Sequence, residues 1–200
     1  AAGTPLLTFS TSTPTVSQVG LSSATGAVNN LLNAGDVVFA TVVFSEAIAL
    51  DTTGGSPTLG LMVGNTLVQA AYVSGSGSTD FVFCYTLLSG QNDANGIAIP
   101  AAAITLNGST LRSVPGNAVT LGNAIVADNL LYPVDTTAPS VGITSSAASL
   151  KSGETSLIYF TFSEDPDTSF SVSDVTVTGG TLSALTGLGT VRRSTFTPPV

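Results

Sequence analysis

The sequence contains no histidine and no tryptophan, and its only cations are Lys151, Arg112, Arg192 and Arg193. Without histidine it lacks the usual general base of serine and cysteine nucleophile systems and the commonest transition-metal ligand. Acidic groups outnumber basic ones to a formal net charge of −8, which leaves no cationic surface to neutralise phosphates and excludes nucleic acid as a partner. Cys84 is the single cysteine, so no intrachain disulfide framework is available. No apolar run reaches the roughly 18 residues that a membrane helix requires.

What is abundant is apolar and turn-forming. Hydrophobic residues make up 43% of the 200-residue chain against 8% charged, with 21 Gly and 10 Pro. That balance fits many short strands joined by tight turns and argues against disorder, since enough apolar area exists to offset ordering entropy. In Asp80-Phe-Val-Phe-Cys-Tyr-Thr-Leu87 the alternation places Phe81, Phe83, Tyr85 and Leu87 on one strand face, with Cys84 expected as a buried thiol on the other. The chain opens Ala-Ala-Gly rather than with Met, as exported proteins do after signal-peptide removal, and this favours an extracellular location.

One strand occurs twice. Val37-Val-Phe-Ala-Thr-Val-Val-Phe-Ser-Glu46 and Ser156-Leu-Ile-Tyr-Phe-Thr-Phe-Ser-Glu164 both end in Phe-Ser-Glu, and aligning the endings sets Ala40, Val42 and Phe44 over Ile158, Phe160 and Phe162 on one face. A turn-rich segment precedes each, Asn29–Asp36 and Lys151–Thr155, and a Pro-led stretch from Pro14 or Pro139 precedes that. The expected organisation is an extended N-terminal segment over 1–13, a first domain over 14–134, a linker at 135–139 and a second domain over 140–200. The first domain reads on as strands near 57–63, 66–73, 80–88, 103–112 and 118–134. The second offers strands near 155–163, 170–178, 181–187 and 190–197.

Asp135-Thr-Thr-Ala-Pro139, Phe-Ser-Glu, Ser173-Asp-Val-Thr-Val-Thr-Gly-Gly180 and Asp93-Ala-Asn-Gly-Ile97, taken in order, resemble the tandem bacterial immunoglobulin-like repeats of large calcium-dependent surface adhesins. The resemblance implies an all-β chain of two tandem immunoglobulin-like β-sandwich domains at the cell surface, the second lacking its final strands. It also implies calcium at a domain junction. Calcium takes six to eight oxygens, and the acidic residues expected to supply them are Asp135, Glu164, Asp165 and Asp167, with Asp93 and Asp36 as second choices.

Pro5-Leu-Leu-Thr-Phe-Ser10 resembles the strand that ends the first domain, Asn129-Leu-Leu-Tyr-Pro-Val134. Leu6, Leu7 and Phe9 are therefore expected to form a strand that another copy's open second domain accepts, a head-to-tail self-association that propagates as a filament. A spacer fragment of a longer adhesin remains the alternative, and a carbohydrate-binding module the weaker one, since only four Tyr offer stacking platforms. A cell-surface or glycan receptor is a further candidate partner. No membrane span is expected, and no serine finds a catalytic partner, so the chain is read as not an enzyme.

Overall fold

The structure is a computed structural model, and it describes residues 11–28 and 30–199. The chain divides into two compact units between Thr137 and Ala138. The donor residues Leu6, Leu7 and Phe9 lie outside the described residues.

The first unit contains β1 (Val16–Thr25), β2 (Val37–Asp51), β3 (Thr58–Val63), β4 (Thr66–Ser74), β5 (Ser78–Thr86), β6 (Ile104–Thr105) and β7 (Thr110–Ser113). They hydrogen-bond in the order β1-β2-β5-β4-β3-β6, with β7 on the far half of β2. Period-two alternation explains the core: Val38, Ala40, Val42 and Phe44 of β2 face Phe81 and Phe83 of β5, all buried. Phe44 meets Phe81 edge-on at 5.0 Å between ring centres, and Tyr72 leans on both Phe81 and Phe83. Cys84 takes the opposite face as expected but is only half-buried, because the outer face of β5 is not covered.

Two expected strands differ. Residues 103–112 split into β6 and β7 because Asn107 and Gly108 both adopt positive φ, 51° and 88°, and turn the chain. Residues 118–134 form no continuous strand. They hold on through single bridges of Val126 to Ile99 and of Val134 to both Asp93 and Leu32, while Ile125, Leu130 and Leu131 face solvent. This run nonetheless joins the core: Val134 is buried, and so are Ile97 and Ile99, to which the run bonds at Tyr132 and Val126.

The second unit contains β8 (Val141–Ser145), β9 (Ser156–Phe162), β10 (Thr181–Leu182) and β11 (Val191–Thr197), ordered β10-β11-β9-β8. The strand expected at 170–178 is instead an extended run with one 3-10 turn at Val172–Asp174. Among the described residues no neighbouring strand takes its backbone groups, so no ladder forms. Phe170 still covers part of the sheet, 5.2 Å from Phe160 and 4.8 Å from Phe162. The strand expected at 181–187 shortens to Thr181–Leu182; Ser183 still donates its amide to the Thr195 carbonyl at 2.9 Å, and the next bridge is Thr186 opposite Arg193.

Candidate functional site

The sequence repeat extends to hydrogen bonds. In the first unit Ser45 donates its amide to the Thr15 carbonyl at 2.9 Å, and its Oγ accepts from the Thr15 amide at 3.0 Å. In the second, Ser163 makes the same pair with Ser140, both at 2.9 Å. The serine of each Phe-Ser-Glu thus pins the start of the neighbouring strand. The turn before each repeated strand is built alike: the Asp36 carboxylate accepts from the Asn33 amide at 2.7 Å, and that of Glu154 from the Lys151 amide at 2.9 Å. Gly35 and Gly153 carry φ of +96° and +83° in these turns, a conformation that glycine adopts without strain.

The acidic residues expected to bind calcium are mostly engaged locally. Asp36 caps its own turn, and Asp135 Oδ1 accepts from the Thr137 amide at 2.9 Å. Asp165 Oδ1 accepts from the Asp167 amide at 3.0 Å and pairs with Arg192 at 3.1 Å. Asp167 has a positive φ of 47° and offers its carbonyl to the same guanidinium at 3.1 Å. Glu164 is half-buried. Within neither unit do three acidic side chains converge among the described residues.

Asp93 stands apart. It is only 4% exposed, and its Oδ2 accepts from the Gly64 amide at 2.6 Å across to the β3–β4 turn. Its Oδ1 is buried with no hydrogen-bond partner. An unsatisfied buried carboxylate oxygen is costly, so this atom is the best-placed ligand for a cation or an ordered water.

Arg192 was not legible as a structural residue until its neighbours were known. It is buried, its Nη1 bonds the Gly189 carbonyl, and its Nη2 holds Asp165 and Asp167. The available signal was the alternation Val191-Arg-Arg-Ser-Thr-Phe, which puts Arg192, Ser194 and Phe196 on one face.

That face is the most distinctive feature of the second unit. Register places Arg192 opposite Phe160 and Ser194 opposite Ile158, where the first unit has Phe81 opposite Val42 and Phe83 opposite Ala40. Of the second unit's described hydrophobic side chains, Phe160 alone is fully buried. Ile143 and Val141 of β8 are 61% and 47% exposed. Two cavities of about 380 and 230 Å³ lie along the sheet, both lined by Ile158 and Phe196.

Two repeated, pinned, all-β units with a shared core strand define an immunoglobulin-like sandwich architecture. Residues 135–200 match the bacterial Ig-like domain family, a stretch that includes every strand of the second unit. No curated protein matches the chain. All-β sandwiches of this kind are usually not enzymes, and among the described residues no helix is long and apolar enough to cross a membrane.

Proposed function

We propose that the protein is a non-catalytic extracellular structural subunit that assembles head-to-tail on a cell surface, each copy donating a strand to the second unit of the next. The observation that carries this reading is the open inner face of β8, β9 and β11, where apolar side chains and a strand edge stay uncovered. Uncovered edges and apolar faces recruit an extended segment, which gains main-chain bonds and side-chain pockets together. The contact is heterologous and therefore propagates rather than closing as a dimer. Deleting residues 1–12 is expected to abolish polymer in size-exclusion profiles and electron micrographs. Polymer unchanged by the deletion would sink the proposal.

Calcium is part of the same reading, held by Asp135, Glu164, Asp165 and Asp167 with Asp93 and Asp36 as further ligands. The chemistry of the donor set supports it unevenly: Asp93 has a free buried oxygen, whereas Asp36 and Asp165 are committed to a turn and to Arg192. A thermal melt is expected to fall when chelator is added, because an ion that binds only the folded state stabilises it. Identical melts with calcium and with chelator count against it.

The match of residues 135–200 to the bacterial Ig-like domain family favours a second reading, a spacer segment of a large calcium-dependent adhesin. On that reading the isolated chain stays monomeric at all concentrations. A glycan array separates spacing from adhesion to sugars.

A further inference from the structure

The dipeptide Asn-Gly occurs at Asn95–Gly96 and again at Asn107–Gly108, each time in a turn. In such a pair the glycine amide nitrogen can attack the asparagine Cγ, because glycine carries no side chain to hinder the approach. Residue type gives the two pairs the same chemistry, and the fold separates them.

The turn over 106–109 is closed by the Ser109 amide, which donates to the Leu106 carbonyl at 2.9 Å, and the Ser109 hydroxyl donates to the same oxygen at 2.6 Å. Asn107 and Gly108 are its central residues, and their φ values of +51° and +88° make it the mirror-image type in which both are positive. A β-turn uses the amide of its fourth residue and leaves that of its third over. Gly108 is this third residue. It is exposed, and its amide has no partner among the described residues.

Asn95–Gly96 sits one place out of phase. Its turn runs from Asp93 to Gly96, so the Gly96 amide is the fourth and donates to the Asp93 carbonyl at 3.3 Å. Gly96 is buried, and a Cβ on it would collide with the Asn129 carbonyl. The nucleophile is tied to a backbone oxygen in a turn with no room to rearrange. The Asn95 Nδ2 is held as well, by an Asp128 carboxylate oxygen.

We infer that Asn107 is a site of spontaneous covalent modification in the folded chain, converting to aspartate and isoaspartate, and that Asn95 is protected. The Gly108 nitrogen gives its proton to solvent base and bonds to Asn107 Cγ, the Cγ–Nδ2 bond breaks, and Nδ2 leaves as ammonia. Bulk water then opens the succinimide ring. Attack at Cγ restores the ordinary backbone as aspartate, and attack at the residue's own backbone carbonyl leaves the chain running through Cβ and Cγ as isoaspartate. This chemistry goes beyond the assembly reading and holds whether or not the chain assembles.

The product cannot keep what Asn107 holds. Asn107 Nδ2 donates to the Ser56 carbonyl at 3.2 Å and to Thr58 Oγ1 at 3.1 Å, tying the turn to the start of β3. Neither bond engages the Gly108 nitrogen, so they slow ring closure relative to the unfolded chain without blocking it. A carboxylate there has no hydrogen for the Ser56 carbonyl. The isoaspartyl form also lengthens the main chain where Gly54 and Gly55 approach the Gly108 and Asn107 carbonyls too closely for either to carry a Cβ.

The test holds the native full-length chain, and the same chain in denaturant, at mildly alkaline pH until the denatured control has converted. Samples are digested at intervals and read by peptide mass and by isoaspartyl methylation. Both pairs are expected to convert alike in denaturant. In the native chain Asn107 is expected to convert at least about tenfold faster than Asn95, the rate equivalent of freeing one hydrogen-bonded amide. Equal native rates, or a faster Asn95, overturn the assignment, and so does an Asn107 that stays intact in the native chain. Asn107→Asp in the full chain reads the consequence directly. Hydrogen exchange is expected to rise at residues 54–58 and 106–109 and to stay unchanged in the second unit. Exchange at those residues equal to the parent's overturns the link to β3 as what the modification cuts.

Discussion

At the residue scale, the repeated serine and the buried aspartate make separable predictions. Ser163→Ala removes the acceptor of the Ser140 amide and is expected to destabilise the second unit by about 0.5–1.5 kcal/mol. Ser45→Ala is expected to act on the first unit alone, and denaturant melts followed by one probe in each unit check both. Asp93→Ala frees the Gly64 amide and opens a buried gap, an expected loss of about 1–3 kcal/mol. Gly64 cannot move to compensate with a larger residue, since a Cβ there would meet the Asn92 carbonyl at 2.5 Å with φ at +57°. Asp51 gives a pH prediction. The Thr53 hydroxyl and then the Thr53 amide hold its carboxyl below the usual range, donating at 2.5 and 2.9 Å. A depressed folded value means the contribution is present above the unfolded Asp pKa, about 3.9, and is lost as pH falls through the folded value. Thr53→Val is expected to raise the Asp51 midpoint in an NMR titration. The residue types at these places were readable, but the partners were not: Phe-Ser-Glu was visible as a repeat, while the role of its serine appears only once Thr15 and Ser140 are seen opposite.

At the element scale, β2 and β9 were legible because period-two alternation with Phe at the end leaves little choice of state. Their burial differs for a reason that lies outside each strand. Ala40 is fully buried, whereas its equivalent Ile158 is half-buried and lines both cavities of the second unit. The 170–178 run was expected as a strand, and it does not become one because a strand is a relation between two segments, not a property of one. Residues 118–134 were likewise expected as a strand and form only single bridges, with Gly122, Asn123 and Pro133 interrupting the apolar positions. The turn Lys151–Glu154 is the element that joins both themes, since it sets Leu150 against the open cavity. Gly153→Val places a β-branched residue at φ of +83° and is expected to destabilise the second unit by more than 1 kcal/mol, roughly, with the first unit's melt unchanged.

At the scale of the molecule, the two units differ most in how much core each holds. Nineteen hydrophobic side chains are buried in the first unit's core, and only Phe160 in the second among the described residues. Each fully buried large side chain contributes about 1.5–3 kcal/mol, so the first unit is expected to unfold well above the second, giving two transitions in calorimetry. Limited proteolysis at the monomer's concentration should cut first within residues 138–199 and leave a resistant fragment ending near Thr137. The same experiment at assembling concentration should protect the second unit, because a strand docked on the β8–β9–β11 face covers its exposed apolar side chains. Phe160→Ala removes the one buried anchor of the second unit at an expected cost of about 3–5 kcal/mol. It should therefore eliminate the lower transition and the concentration-dependent protection together, while leaving the upper transition in place. If the lower transition instead survives Phe160→Ala, the second unit draws its stability from somewhere other than the β8–β9–β11 face, and that face loses its claim to be where a partner strand docks.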